Sequence, residues 1–159
     1  MIKVRQYRAC LITSAYLFPQ LEGLALARVW GFVKLNLAKS TYAAGTASKS
    51  VTSTIEAAGA GIKSTVDVVS ADGTVQHWVV TANYDGNDYP LVGNNLQNDT
   101  IARTRVDANT VRNTYKKAGK VIVTETSVVS ADGKTITITS TGTDAKGQTV
   151  NSVTVYDKQ

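Results

Sequence analysis

Few side chains in this chain can carry acid–base or nucleophilic chemistry. His77 is the only histidine and Cys10 the only cysteine. His77 has a neutral-range imidazole that could deprotonate water for ester or lactone opening, provided it faces a cavity near Tyr115, Glu125 or Asp88. Its neighbours at two-residue spacing are Val75 and Val79, so a hydrogen-bonded structural role fits the same pattern. Glu125 lies between Val123 and Ser127 on one face of a strand-like run. A carboxylate there needs a partner, and Arg103 or Arg105 could supply one, either as an interior salt bridge or as an anchor for a ligand head. We therefore take His77 and Glu125 as candidate catalytic residues, and Trp78, Tyr84, Tyr89, Arg103, Arg105 and Tyr115 as candidate ligand contacts.

Counting excludes several mechanisms. One histidine and one cysteine cannot build a multi-histidine metallo-lactonase, an H-E-x-x-H site, a facial triad or a cysteine-based zinc site. No G-x-S-x-G is present, so the nucleophile elbow of the α/β-hydrolases is absent. The oxygen-rich stretch from Asp85 to Asp99 invites a calcium ion, with Asp85, Asn87 and Asp88 as candidate ligands. The EF-hand order fails there, because Pro90 stands where glycine belongs and Leu96 where the bidentate glutamate belongs. Asn and Asp also form turns, so the stretch reads equally as a structural loop.

These side chains must be held by strands. From Ser50 onward, alternating Val/Thr/Ile runs are cut by short Gly-, Asp- or Asn-containing breaks. The pattern predicts strands at Ser50–Ala57, Ile62–Ser70, Thr74–Asn83, Thr100–Val106, Thr110–Lys116, Val121–Ser130, Lys134–Thr141 and Thr149–Tyr156, with an earlier one near Trp30–Asn36. Short breaks force antiparallel neighbours. The fold class is therefore all-β, an up-and-down antiparallel barrel of eight to ten strands, which removes its edges by closing. The hexapeptide VVSADG occurs at Val68–Gly73 and at Val128–Gly133, each copy between two predicted strands, as expected of two hairpins. The long run Asp85–Asp99 is expected to be an irregular loop over one barrel end, and Leu37–Lys49 a crossing segment. Mixed polar and apolar residues on both faces of Val121–Ser130 suggest a partly polar cavity.

The first 27 residues form a separate unit: a basic start, an apolar middle from Ala9 to Phe18, and Ala25-Leu26-Ala27. They read as a signal-like leader or as an attached amphipathic helix, with residues 28–159 as one barrel domain. Localisation follows, secreted or periplasmic if the leader is cleaved and cytoplasmic otherwise. The leader is too short and polar for stable membrane insertion. A net charge of +5 without interleaved aromatic platforms gives no nucleic-acid signature. Open strand edges would permit a homodimer.

Trp30, Lys34, Leu35, Asn36, Lys39 and Ser40, then Ile55-Glu56, Thr81 to Gly86, Asp88-Tyr89-Pro90, Arg105 to Thr110 and Thr143-Asp144-Ala145, resemble a group of small lipocalin-like proteins of soil bacteria. The resemblance covers Trp30 to Gln159 and implies a barrel that binds a small apolar or acyl-chain molecule. In size and character the chain more distantly resembles a small soil-metagenome hydrolase of N-acyl-homoserine lactones, which implies lactone opening and quorum quenching. A non-catalytic carrier and a structural module with a filled barrel remain the other readings.

Overall fold

The computed structural model describes residues 31–43, 47–144 and 147–159. The expected leader and Trp30 lie outside these. Eleven strands follow one another: β1 Gly31–Leu35, β2 Ser50–Ala58, β3 Gly61–Val69, β4 Val75–Asn83, β5 Asp85–Pro90, β6 Val92–Gly93, β7 Thr100–Arg105, β8 Thr110–Lys117, β9 Lys120–Val129, β10 Thr135–Thr143 and β11 Thr149–Lys158. All pairings are antiparallel, in the order β5-β7-β8-β9-β10-β11-β1-β2-β3-β4-β6. The β11–β1 ladder, Leu35 opposite Tyr156 and Val33 opposite Lys158, rolls the sheet into a nearly closed barrel.

The predicted strands are present within one or two residues at their ends. The extra strands arise in Asp85–Asp99, which is not one irregular loop. Asp85–Pro90 pairs with β7 and Val92–Gly93 with β4, one on each side of the barrel's seam. A register shift between Asp85 and Asp88 hides the alternation in β5. There Gly86 sits at φ +79° and Asp85 Oδ1 accepts from Asn87 N at 3.0 Å, so the turn-forming residues build a bulge rather than a break. Leu37–Lys49 does not simply cross. It starts with a 3₁₀ turn capped by the Asn36 side chain and then runs beside β11, where Thr41 bridges Val153.

Both VVSADG copies close hairpins. In each, Gly N donates to the serine carbonyl at 2.9 Å, and the aspartate accepts from the backbone two residues on, Asp72 from Thr74 N and Asp132 from Lys134 N. Only the glycines take positive φ, Gly73 at +92° and Gly133 at +70°. The copies then diverge: Ser70 N donates to Thr74 O, whereas Ser130 N donates to Thr135 O, one residue further.

The seam is closed by side chains. Among the described residues, no backbone ladder joins β4 to β5 or β7. Instead Val80 and Ala82 of β4 pack with the fully buried Ile101 of β7, covered by Tyr89, Leu91 and Tyr115. A second apolar cluster, Val33, Val129 and Ile136 with Ile55, Ile138 and Tyr156, fills the wall around β1, β9 and β10.

The β8–β9 turn stores backbone strain. Ala118 lies at φ +48° beside Gly119 at +77°, the paired positive values of a type I′ turn, which asparagine tolerates better than alanine. Ala118→Asn should stabilise the fold by about 0.5–1 kcal/mol, read as a higher urea midpoint at unchanged m-value. An unchanged or lower midpoint would refute strain at this turn.

Candidate functional site

Register places a row of polar residues across five consecutive strands. Arg103 of β7 faces Asn113 of β8, Asn113 faces Glu125 of β9, Glu125 faces Ser140 of β10, and Ser140 faces Ser152 of β11. Two short turns fix the start of this row. Asn109 N donates to Asp107 Oδ1 at 2.8 Å in the β7–β8 turn, and the Ala118-Gly119 pair sets β8 against β9. Because side chains alternate with period two, a slip of one residue in either hairpin would turn the row outward.

The row meets a cavity of about 170 Å³ inside the barrel. Val33, Val51, Ile55, Ile62, Val66 and Val111 are among its apolar walls, and Ser53, Ser64, Tyr84, Arg103, Asn113, Tyr115, Glu125, Ser127 and Tyr156 contribute polar atoms. Arg103 is 9% exposed and Asn113 6% exposed. Arg103 Nη2 donates to Ser64 Oγ of β3 at 3.4 Å, reaching from one side of the seam to the other. Asn113 Nδ2 donates to Ser127 Oγ at 3.2 Å, and Ser140 Oγ donates to the Glu125 carboxyl at 3.1 Å. Arg103 and Glu125 form no ion pair, since Asn113 stands between them in the row. Two strand spacings separate them, roughly 10 Å at the backbone.

Three buried polar atoms, Arg103 Nε, Arg105 Nη1 and Asn113 Oδ1, have no hydrogen-bond partner among the described residues. Arg105 stacks its guanidinium 4.4 Å from the Tyr84 ring centroid. Burial pushes the Tyr84 hydroxyl up, while the Arg103 and Arg105 charges pull it down, which puts both cations beside one tyrosine.

Other candidates lie elsewhere. His77 is on the outer face of β4, its side chain 53% exposed, with Nδ1 2.7 Å from Asp67 Oδ1 of β3 and its backbone N donating to Asn94. It does not line the cavity. Trp78 is on the opposite face of β4, half-buried between Val66 and Gly93, and does not reach the cavity either. Tyr89 packs on the seam cluster and donates to Asp85 Oδ2 at 2.7 Å. Asp85 is thus held by Asn87 and Tyr89, while Asp88 accepts from Lys116 Nζ at 2.7 Å. Among the described residues, no three acidic, His or Cys groups gather around one point.

Of the sequence candidates, then, Glu125, Arg103, Tyr115 and Tyr84 come together at one cavity, with Arg105 behind Tyr84. Sequence reasoning missed Asn113, Ser64, Ser127 and Ser140. Turn positions could have found the first and last, since a known hairpin midpoint fixes which residues face each other. No family model matches this chain, and no curated protein or solved structure matches it.

Burial drives the Glu125 carboxyl above its ordinary value of 4.5, against the pull of hydrogen bonds from Ser140 and Tyr115, the Arg103 charge and a hydrogen bond from Asn113. Burial also raises Tyr115 and Tyr156, with the Glu125 charge adding to it. A carboxyl raised in the folded state stabilises most when protonated, and that contribution fades as pH climbs from about 4.5 through the raised value. The turn aspartates act in a different window. Hydrogen bonds from Asn87 to Asp85, Ala118 to Asp99, Asn109 to Asp107, Ser130 to Asp132 and Asn36 to Asp157 hold these carboxyls below 3.8. Their support is present above that value and disappears as pH falls beneath it. Thermal midpoints against pH should therefore fall at both ends. Glu125→Gln should flatten the decline on the high-pH side and leave the acid limb as it was; a decline that survives Glu125→Gln would assign it to another group.

Proposed function

We propose that the barrel binds one compact amphipathic molecule, with its polar head at the Arg103–Asn113–Glu125 row and its apolar part against the valine and isoleucine wall. The observation that carries this reading is the pair of polar atoms without partners among the described residues, Arg103 Nε and Asn113 Oδ1, buried at an apolar-walled cavity, with Arg105 Nη1 in the same state behind the cavity-lining Tyr84. Buried polar groups in native proteins are almost always hydrogen-bonded, because an unmade bond costs about 1–3 kcal/mol. A ligand head supplies what the chain does not. Volume limits the guest: a cavity of about 150 Å³ holds benzene in another protein, so 170 Å³ suits a single ring or a short acyl chain. The lipocalin-like motifs in the sequence support the same role, that of a carrier.

Benzyl alcohol titrated calorimetrically into the protein should bind at one site, and Val66→Phe, which fills the cavity, should abolish binding without unfolding the barrel. Equal binding to both proteins would place the site elsewhere.

One arrangement favours a second reading, hydrolysis of a short N-acyl-homoserine lactone. Glu125 is a raised carboxyl on the same wall as Arg103. A general base works best near its operating pH. In its ionised form Glu125 would take a proton from water as the water oxygen adds to the lactone carbonyl, whose oxygen Arg103 would stabilise. The ring C–O bond then breaks, and the proton passes to the leaving alkoxide. On this reading N-butanoyl-homoserine lactone is opened by the wild type, and Glu125→Gln lowers kcat by about 100-fold or more. Absence of turnover, or turnover that survives Glu125→Gln, would discard it.

A further inference from the structure

The charges around the cavity do not balance. Glu125 is the one carboxylate among its lining residues, and Arg103 the one cation. A second cation, Arg105, lies just behind, stacked on the cavity-lining Tyr84. The ion pairs among the described residues, Lys39–Asp157, Lys63–Glu56, His77–Asp67, Lys116–Asp88 and Lys117–Asp99, are all remote from this cavity and engage neither arginine. With Glu125 ionised, the group carries one uncompensated positive charge; with Glu125 protonated, it carries two. Either way the interior is cationic. Removing a guanidinium from water is costly unless an anion or full hydrogen bonding offsets it, and among the described residues Arg103 has the 3.4 Å hydrogen bond to Ser64 and no anion.

We propose that the natural guest is a small organic monoanion, a carboxylate on a ring-sized or short-chain body, with its oxygens at Arg103 and a hydroxyl or N–H of its own donating to Asn113 Oδ1. This rests on the binding reading above and names its ligand class. Among the described residues Arg103 has Nε–H without a partner beside an already engaged Nη2, while Arg105, whose Nη1 also lacks one, adds its charge from behind Tyr84. A planar carboxylate accepts from such groups better than any neutral head does. Asn113 adds the complementary demand. Its Nδ2 is committed to Ser127 while its Oδ1 is free, so the position asks for a donor beside the anion. Hydroxy- and acylamino-carboxylates have both parts. The ring-opened product of an N-acyl-homoserine lactone belongs to this class as well. A lactonase with this pocket would retain its product, so selective anion binding favours carriage over hydrolysis.

The test compares related aromatic compounds in calorimetry at neutral pH: 3-hydroxybenzoate and benzoate against benzamide and benzyl alcohol, with the Val66→Phe protein subtracting any surface binding. Benzoate should bind at least about tenfold tighter than benzamide, and 3-hydroxybenzoate, whose hydroxyl lies on the carboxylate's side of the ring, no weaker than benzoate. Arg103→Met should remove the preference, leaving benzoate no tighter than benzamide in the same protein. Should Arg103→Met fail to fold, the wild type still decides: benzoate must shift and sharpen the Arg103 Nε–H resonance in ¹⁵N-edited spectra, and benzamide must not. Neutral compounds binding as tightly as benzoate, or an unmoved Arg103 resonance, overturns the anion assignment and leaves the binding reading standing. If none of the four compounds binds in the cavity, both fall together.

Discussion

An arginine held inside a barrel is the constraint on which the rest of this molecule turns. Arg103 is 9% exposed and, among the described residues, has no carboxylate in ion-pair range and one hydrogen bond, to Ser64 on the far side of the seam. Holding it there requires a wall that cannot slip in register and a neighbour set that keeps the residual charge tolerable. The sheet provides the first through its short hairpins. The second comes from Asn113, Tyr84 and the more distant Glu125, none of which neutralises it fully. The cavity follows from the same demand, because a bulky apolar residue at the row would bury the guanidinium without any acceptor.

The seam gives the barrel its second character. Ladders run unbroken from β5 round to β6, yet among the described residues β4 meets β7 through side chains, Val80 and Ala82 against Ile101. Side-chain packing of this kind is roughly as favourable per unit area as any core contact, but it lacks the directional order of a hydrogen-bonded edge. Arg103 and Ser64 tie β7 to β3 across it, and Tyr89 with Asn83 ties β5 to β4. The polar row and the closure of the barrel are therefore coupled through Arg103.

Much of this was legible in the chain, and the misses share a physical origin. Strand positions were readable because Val/Thr/Ile alternation and Gly-bearing turns are local signals. Glu125 and Arg103 were recognisable as charged residues on strand faces that should not be wholly wet. Alternation separates His77 from Gln76 and Trp78, yet it cannot say which side is inside; only closure of the sheet decides that, and it put His77 out with Asp67. Asn113, Ser127 and Ser140 are ordinary residues one at a time and acquire meaning only as cross-strand neighbours. The strands within Asp85–Asp99 were hidden because the bulge at Gly86 breaks the period that would have revealed them.

The β1–β11 ladder also sets a timetable. Residues 31–35 are made early and wait for residues 149–158, more than a hundred positions later, before their hydrogen bonds can form. Until β11 emerges, the β10 and β1 sides of the wall have no strand to join them, although the β4–β7 seam is already available. Contacts of such span form slowly, and an unpaired β1 edge is exposed meanwhile. The interior, with its buried arginine, is complete only once β11 has paired with β1 and β10, so loss of β11 would open the wall that encloses it.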